Sequence, residues 1–388
     1  MLKRIPTAWL QLRYQKTRLI VALAGVIFAV LIVFMQLGIR DALFDSATLF
    51  HESLKGDCFL ISPRSTALIS MESFSQRRLF QSLALPEVDY VDPIYLGSAQ
   101  WRNPQHRSDW RSIFVIGFDV EYSVLDIAGV EENLDSLKIP DVVLFDRDSM
   151  PEFGAIALNF ERQGDVTTEI GFAGETRKIE VAGLFKLGTS FGADGNLVTS
   201  DLNFRRIFNR DRSAIDIGLI KLKSGTNVAQ FTRNLKEYLP SDVKVLSKQE
   251  FIDLEKEYWQ SSTPIGFIFS LGVLLGVIVG IVVVYQILYT NISEHLPEYA
   301  TLKAIGYRHK YLLSIVLQQA IFIAILGYVP GFVSSVLLYE FVEQGTGLPI
   351  GMAVGRATFV LVSTIIMCFI SGLSAVVKLR AADPADIF

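Results

Sequence analysis

Four long apolar segments without a charged residue dominate the pattern of the chain. They occupy residues 19–39, 264–292, 311–339 and 357–377. A helix of about 20 apolar residues crosses a hydrocarbon core of roughly 30 Å, so each segment is long enough to span a membrane. The first is too long for a cleavable signal peptide, and the sequence GIRDALFDS that follows it is a poor cleavage site. The pattern predicts four transmembrane helices.

The charges that flank these segments predict their orientation. The basic residues of the N-terminus 1–18, the connection 293–310 and the tail 378–388 are Lys3, Arg4, Arg13, Lys16, Arg18, Lys303, Arg308, Lys310, Lys378 and Arg380. The connection 340–356 holds two acids and one base. Basic residues stay on the cytoplasmic side, so we expect an inner (plasma) membrane protein with both termini in the cytoplasm. Residues 40–263 and 340–356 are then periplasmic.

Two amphipathic stretches flank the large periplasmic segment. Apolar residues recur at helical spacing in residues 40–56, as Leu43, Ala47, Phe50 and Leu54, and in residues 247–263, as Phe251, Leu254 and Tyr258. They predict stalk helices that extend the first and second spans and pack together. Helices that lie in the lipid headgroup layer are the alternative.

Between the stalks, residues 57–246 show a mixed pattern of strands and helices. It predicts a strand, a helix and a broken strand at 58–61, 71–85 and 88–97, and a strand, a helix and a strand at 215–222, 228–238 and 243–246. Two β-α-β units at opposite ends of one segment suggest a split βαβ sandwich. Residues of about 118–200 are then an inserted β-rich lobe. The fold class is an α-helical membrane protein with a large mixed α+β extracytoplasmic domain.

A short polar segment, residues 293–310, separates the second and third spans. Pro297 suits the first turn of a helix and Gly306 its end, while Glu294 and Glu298 lie near the positive end of the helix dipole. The apolar residues at helical spacing are Leu296, Tyr299, Leu302 and Ile305. A helix of about ten residues is marginal alone in water. Its apolar face is therefore expected to pack on the protein's own spans or, as we favour, in a groove of another protein.

Glycines at four-residue spacing mark the second span. Gly272, Gly276 and Gly280 would form a face on which another helix, of this chain or of a second copy, packs closely. The alternative is that glycine is simply common in membrane helices. In the third span, the sequence GYVPG at residues 327–331 predicts a kink or a break.

Composition and charge argue against several functions. The 388-residue chain is 51% hydrophobic with a formal net charge of −4, which gives no reason to expect a nucleic-acid partner. Cys58 and Cys368 lie in different environments, so neither a disulfide nor a cysteine-ligated metal is expected. His51 and His106 fit no metal-ligand or catalytic-triad spacing, and no Walker A pattern occurs. We expect no catalytic residue, metal or cofactor in this chain, which is then not an enzyme.

One cluster of aromatic and basic residues is a candidate surface. Trp101 and Trp110 have Arg102, Arg107 and Arg111 as neighbours. This cluster suits a docking surface, and a solvated loop is the alternative we favour.

The order of the elements and several short motifs resemble the MacB/FtsX-like permeases of ABC transporters. The motifs are EYATLKAIG at residues 298–306, RAADPAD at 380–386, and IGFD at 116–119 followed by Tyr122. The opening RIPTAWLQL at residues 4–12 and the absence of a fused ATPase are most similar to the DevC-type permeases of cyanobacterial exporters. The resemblance covers essentially the whole chain.

The resemblance implies a permease subunit of an ATP-driven ABC exporter that works by mechanotransmission. Segment 293–310 would be the coupling helix that contacts the ATPase, through Glu294, Leu296, Pro297, Glu298, Tyr299, Leu302, Lys303, Ala304, Ile305 and Gly306. The implied partners are a separate ABC ATPase subunit that binds ATP and Mg, a second copy of the chain, a periplasmic adaptor (membrane fusion protein), a TolC-like outer-membrane channel and membrane lipids. The periplasmic domain would be a βαβ porter-like lobe with an inserted lobe. DevC-type members imply a tripartite efflux system and glycolipid export.

The same family offers alternatives. An FtsX-like permease would signal across the membrane and activate a periplasmic partner without transport. A LolC/LolE-like permease would extract lipoproteins. A passive scaffold would leave segment 293–310 unexplained.

Overall fold

The computed structural model describes residues 16–190, 192–298, 301, 305–307, 309–346, 348 and 350–381. The chain forms two compact units. Met1–Ala42 together with Pro264–Phe388 is here called the membrane unit, and Leu43–Thr263 is called the head.

The elements follow in chain order. The first is helix α1 (Lys16–Ser53). The head contains strands β1 (Cys58–Ile61), β2 (Phe74–Ser75), β3 (Val88–Arg102), β4 (Trp110–Phe118), β5 (Val142–Asp146), β6 (Val166–Phe172), β7 (Glu175–Phe185), β8 (Asn196–Ser200), β9 (Ala214–Ile215), β10 (Ile217–Leu222) and β11 (Lys244–Ser247). Its helices are α2 (Gln76–Gln81), α3 (Ile156–Gln163), α4 (Asp201–Phe208), α5 (Val228–Tyr238) and α6 (Lys248–Glu257). Helices α7 (Pro264–Glu294), α8 (His309–Thr346) and α9 (Val354–Ala381) follow.

Within the described residues, four helices are long and apolar enough to cross a membrane: α1, α7, α8 and α9. They contain the four apolar segments of the sequence, so the prediction of four apolar helices beside a mixed α/β domain is confirmed. Helix α1 continues without interruption through the first predicted stalk to Ser53. Helix α8 extends to Thr346 and α9 begins at Val354, so the connection predicted at 340–356 is shorter than expected.

The break predicted at residues 327–331 is absent. Helix α8 is continuous with Pro330 inside it. A Cβ added at Gly327 would lie 2.6 Å from Val26 Cγ1 of α1, and one at Gly331 would lie 2.8 Å from Val30 Cγ1. These glycines therefore permit close packing of α8 on α1, and packing of this kind allows a membrane helix to retain a proline.

The sheet of the head confirms the mixed α/β domain. Its nine strands lie in the order β11-β1-β10-β3-β4-β8-β5-β7-β6. The first four are antiparallel neighbours, with Cys58 paired to both Ile220 and Ser247. Helix α2 connects β1 to β3, and α5 connects β10 to β11. This is the split βαβ arrangement, with Leu79 of α2 and Phe231 of α5 in the core on one face of the sheet.

Strand β3 is shared by the two lobes of the head. Ile94 pairs with Ile217 of β10, and the register from Tyr95↔Gly117 to Arg102↔Trp110 pairs the rest of the strand with β4. The broken strand predicted at 88–97 is therefore one strand that runs to Arg102. The inserted lobe begins near residue 95 instead of 118, because β4 already belongs to its sheet.

The helix predicted at 71–85 is mostly absent. Phe74 pairs with Ile215 in the small β2–β9 sheet, and only Gln76–Gln81 is α-helical, followed by a 3-10 helix at Ser82–Ala84. Ser73 Oγ donates to the distant Asp216 carboxylate at 3.1 Å. This long-range contact overrides the local helical pattern.

The second predicted stalk, 247–263, is helical only in part. Helix α6 begins with a capping box in which Ser247 and Glu250 bond each other's backbone N–H. A π-helix, Tyr258–Ser262, follows, and Thr263 has extended backbone, so α6 does not continue into α7. Inside the head, α6 packs on the end of α1, with the Phe251 ring 4.4 Å from the His51 ring.

The predicted aromatic and basic cluster is divided between core and surface. Trp101 is fully buried, and its Nε1–H donates to the Phe153 carbonyl at 3.1 Å. Trp110 is 37% exposed, and the Arg102 guanidinium lies 5.5 Å from the centre of its ring. The prediction of a docking surface that includes both tryptophans is therefore wrong.

Candidate functional site

The segment between α7 and α8 has helical contacts at both ends. Residues 296–298 and 301 are helical, and Gly306 has a φ of 103°, in the left-handed region that favours glycine at a helix end. Thr301 Oγ1 donates to the Pro297 carbonyl at 2.8 Å, and the Ile305 N–H donates to the Thr301 carbonyl at 3.0 Å. Both contacts join residues four apart, as in an α-helix.

The two ends of the predicted apolar face have different environments. Leu296 packs against the core of the membrane unit, whereas Ile305 is 70% exposed. His295 Nδ1 lies 3.1 Å from Glu298 Oε1, and both Glu294 and Glu298 have further contacts. The remaining predicted contact residues, Tyr299, Leu302, Lys303 and Ala304, lie outside the described residues.

A buried amide pair lies close to this segment, with its first member two residues before residue 293. Asn291 Nδ2 of α7 donates to Gln319 Oε1 of α8 at 3.2 Å, and both side chains are buried. Sequence reasoning missed this pair, because it considered only charged residues within the spans. The amide side chains within apolar segments could have indicated this pair, since such groups hydrogen-bond across membrane helices.

The glycine face of α7 is covered by helices of the same chain. A Cβ at Gly272 would contact Gln36 of α1, one at Gly276 would lie 3.0 Å from Val33 Cγ2 of α1, and one at Gly280 would contact Met367 of α9. The predicted close helix packing is therefore intramolecular in this structure. A second copy of the chain would have to bind a different face of α7.

An ion pair connects two helices of the membrane unit. The Arg356 guanidinium of α9 donates to Asp41 Oδ2 of α1 through Nε at 3.0 Å, and its Nη2 lies 2.9 Å from the same atom. The guanidinium also lies 5.6 Å from the centre of the Tyr339 ring of α8, and the Tyr339 hydroxyl donates to the Phe34 carbonyl. Asp41 and Arg356 are far apart in the sequence, so no local pattern predicts this pair.

Buried carboxylates are a feature of the head. Asp146, at the end of β5, accepts the backbone N–H groups of Leu187 at 3.2 Å and Gly188 at 2.9 Å, and the Asn196 amide at 2.8 Å. Burial raises the pKa of Asp146, and these donors lower it in part. The carboxylate thus anchors both ends of the glycine-rich loop 188–196.

Asp92, in β3, is the buried carboxyl group of the head whose pKa lies furthest from its usual value. Its Oδ1 accepts the Asp119 N–H at 3.3 Å, while Oδ2 makes no hydrogen bond to the described residues. Burial raises the pKa of Asp92 to about 9. The group is therefore protonated at neutral pH.

The C-terminal part of the chain matches a known family. Residues 268–384 match the family model of the FtsX-like permease C-terminal domain. This matched region, which is less than half of the chain, is called the permease domain below. It contains most of α7, the whole of segment 293–310, helix α8 and helix α9. A comparison with curated protein sequences finds no significant match.

Two solved structures resemble the fold. The periplasmic region of MacB from Actinobacillus actinomycetemcomitans is 13% identical, with a TM-score of 0.35, and the match covers 54% of this chain and 95% of that one. The extracellular domain of the noncanonic ABC-type transporter YknZ from Gram-positive bacteria is 13% identical, with a TM-score of 0.32, and the match covers 50% of this chain and 100% of that one. Both scores are below 0.5, so the description of the head rests on its strand order.

Proposed function

We propose that this chain is the permease subunit of an ATP-driven ABC exporter and that segment 293–310 couples it to a separate ATPase subunit. The observation that carries the proposal is the FtsX-like permease domain at residues 268–384, in which this segment connects two spans. The exposed Ile305, directly before Gly306, supports it, because segments that enter a partner's groove present such apolar anchors.

The mechanism proposed is mechanotransmission. Binding and hydrolysis of ATP in the partner would move the segment, and the tightly packed spans would carry that movement toward the periplasmic side. The Asn291–Gln319 contact supports this, because it fixes α7 to α8 beside the segment. ATP must then bind one arrangement of the permease better than the other, and the coupling must be reciprocal.

The test compares two exposed apolar residues. Ile305→Asp should abolish copurification of the ATPase from membranes, and with it ATP-dependent export, because a charge replaces the apolar anchor. The matched control is Leu158→Asp in the head, where Leu158 is 57% exposed, and it should retain the ATPase. Equal copurification with both variants would overturn the coupling role, provided that both insert into the membrane normally.

The finer assignment also belongs to this proposal. The opening sequence and motifs suggest a DevC-type subunit of a tripartite system, with a periplasmic adaptor, a TolC-like channel and a glycolipid or other hydrophobic substrate. The ATP and Mg sites would lie in the ATPase. The chain would work as a homodimer, and because its glycine face is already covered, the exposed apolar face of α7 around Phe267 and Leu274 is the better candidate for the second copy.

Signalling across the membrane is the second candidate function. A permease of the FtsX-like kind would use the same movement to activate a periplasmic enzyme without transport. Identification of the proteins that copurify with the chain separates the two: an adaptor supports export, a cell-wall hydrolase supports signalling, and lipoproteins support LolC/LolE-like extraction. In all these cases the termini and segment 293–310 are cytoplasmic.

A further inference from the structure

A histidine and a glutamate are buried side by side in the head. His51, near the end of α1, has no exposed surface, and Glu255, in α6, is 2% exposed. His51 Nε2 lies 3.6 Å from Glu255 Oε2. Both residues lie outside the permease domain and the coupling segment, so the proposed function does not use them.

The Glu255 carboxyl group connects three pieces of the head. Its Oε2 accepts the backbone N–H of Leu68 at 2.7 Å, and its Oε1 accepts the Nε1–H of Trp259 at 2.8 Å. It therefore ties α6 to the 3-10 helix Leu68–Ser70 and to the π-helix Tyr258–Ser262. A buried carboxylate that has only neutral donors as partners remains costly.

The His51 ring lacks hydrogen bonds. Neither Nδ1 nor Nε2 makes one to the described residues. The rings of Phe50 and Phe251 pack against it, with centroids 5.8 and 4.4 Å away, and the backbone carbonyl of Ala47 is the other polar group that faces it. A buried polar atom without a partner costs about 1–3 kcal/mol, so a proton shared with the Glu255 carboxyl group would relieve this cost at Nε2.

We infer that His51 and Glu255 form a proton-binding site, which holds one proton between Nε2 and Oε2 at neutral pH. With the proton on Oε2, the carboxyl group donates to the neutral imidazole. Burial lowers the pKa of His51 to about 3, so the imidazole stays neutral and accepts this hydrogen bond through Nε2. The protonated pair has no net charge, whereas loss of the proton leaves a buried anion beside a neutral ring.

The charged neighbours are engaged elsewhere. On α1, the Glu52 carboxylate accepts from Thr48 Oγ1 at 3.0 Å. On α6, Lys248 donates to the Glu52 and Leu54 carbonyls at 2.8 and 2.7 Å, and Asp253 accepts from Gln249 at 2.9 Å. The 3-10 helix Leu68–Ser70 contains no titratable side chain, and the π-helix contributes only Tyr258.

The energetics set the direction of the pH dependence. Burial raises the pKa of Glu255 to about 7, against the effect of its two donors. A folded-state pKa above the usual value of 4.5 means that the site stabilises the fold fully below about pH 4.5 and that this contribution is lost as the pH rises through about 7. The contacts to Leu68 and Trp259 therefore weaken when the proton leaves.

A small cavity adjoins the site. It has a volume of about 20 Å³, lies beside Glu255 and Trp259, and is also lined by Leu68, Ile69 and Asn196. Such a volume accommodates about one water molecule beside the carboxyl group.

The test uses Trp259 as the probe, because its indole donates directly to Glu255. Tryptophan fluorescence of the full-length protein in detergent micelles, titrated from pH 5 to 9, should show one transition with a midpoint near 7. Trp259→Phe should remove the transition and so assign it. Glu255→Gln should also remove it, whereas Glu257→Gln, an exposed site on the same helix, should leave the midpoint unchanged.

The role of His51 is tested separately. His51→Gln keeps a donor for the carboxylate but cannot share the proton, so the midpoint should fall by at least one pH unit. A transition that persists in Glu255→Gln, or that is missing from the wild-type protein, overturns the site. Should Glu255→Gln fail to fold, the His51→Gln titration decides alone: an unchanged midpoint overturns the shared proton.

Discussion

The membrane unit and the head bury polar groups in different ways. Among the described residues of the membrane unit, the fully buried polar side chains are neutral, and the one ion pair between helices, Asp41–Arg356, is only partly buried. Most of the neutral groups bond to their own helix: Thr364 Oγ1 donates to the Val360 carbonyl and Ser335 Oγ to the Gly331 carbonyl. The Asn291–Gln319 amides pair across two helices. In the head, the buried polar groups include carboxyl groups, among them Asp92, Asp146, Asp216 and Glu255.

Because of this difference, the stability of the two units should depend on pH in different ways. Hydroxyl and amide groups do not titrate near neutral pH, so the contacts that these groups make between the spans should hold over a wide pH range. A buried carboxyl group makes the stability of its surroundings depend on pH. The head therefore carries the buried groups whose contribution to stability depends on pH.

The largest effect is expected from Asp146→Ala. The substitution removes the acceptor of the Leu187 and Gly188 N–H groups and one of the two acceptors of the Asn196 amide, which keeps the Gly188 carbonyl. We expect the free energy of unfolding of the head to fall by about 4 kcal/mol, measured by urea denaturation. Asp148→Ala is the control, because Asp148 is exposed and its ion pair with Lys186 spans 3.5 Å; it should cost about 0.5 kcal/mol or less. Equal losses would show that Asp146 is not the anchor.

The next effect is a change in pH dependence. Because the folded-state pKa of Asp92 is about 9, above its usual 3.8, its contribution to stability is complete below pH 3.8 and is lost as the pH rises toward 9. Asp92→Asn should therefore remove a loss of about 2.7 kcal/mol between pH 6 and pH 8. Urea denaturation at the two pH values measures it. The same pH slope in the variant and the wild-type protein would contradict a buried, protonated Asp92.

Sequence patterns predicted what is local in this fold. The four apolar segments became helices, helix α5 formed at the predicted residues with Asn227 as its N-cap, and Gly306 adopted the left-handed backbone expected at a helix end. Each of these depends on residues within a few positions of one another. Charge or hydrophobicity along the chain therefore sufficed to predict them.

Contacts between distant residues were not predicted. The length of β3 depends on β4 and β10, Trp101 is buried because its indole reaches Phe153, and Arg356 pairs with Asp41 from the other end of the chain. At the candidate site, the glycines of α7 indicated close packing, but the sequence could not show that α1 and α9 occupy that face. A single sequence shows which residue types tend to make such contacts, but it does not show which distant residue is the partner.

A smaller effect is expected where the membrane unit is most tightly packed. A Cβ at Gly280 would contact Met367 and lie 3.0 Å from Ala29 Cβ, so Gly280→Ala should destabilise the unit by about 1.5 kcal/mol. At Gly345, also in a helix, nothing lies within 4 Å of an added Cβ, so Gly345→Ala should be neutral or stabilising by up to about 1 kcal/mol. Denaturation in mixed detergent micelles gives both values, and the same cost at both sites would refute close packing at Gly280.

The smallest effect tests whether polar contacts in the membrane unit are as weak as the comparison requires. A double-mutant cycle with Asn291→Leu and Gln319→Leu should give a coupling energy of about 0.6 kcal/mol, because the amides also find partners when the helices separate in the membrane. The control cycle replaces Asn291→Leu by Thr290→Val; the exposed Thr290 bonds to its own helix at Gln286, so its coupling to Gln319 should be near zero. A coupling energy above about 2 kcal/mol would make the amide pair as strong as the hydrogen bonds of the buried carboxyl groups in the head. The membrane unit would then depend on specific polar contacts and not only on close apolar packing.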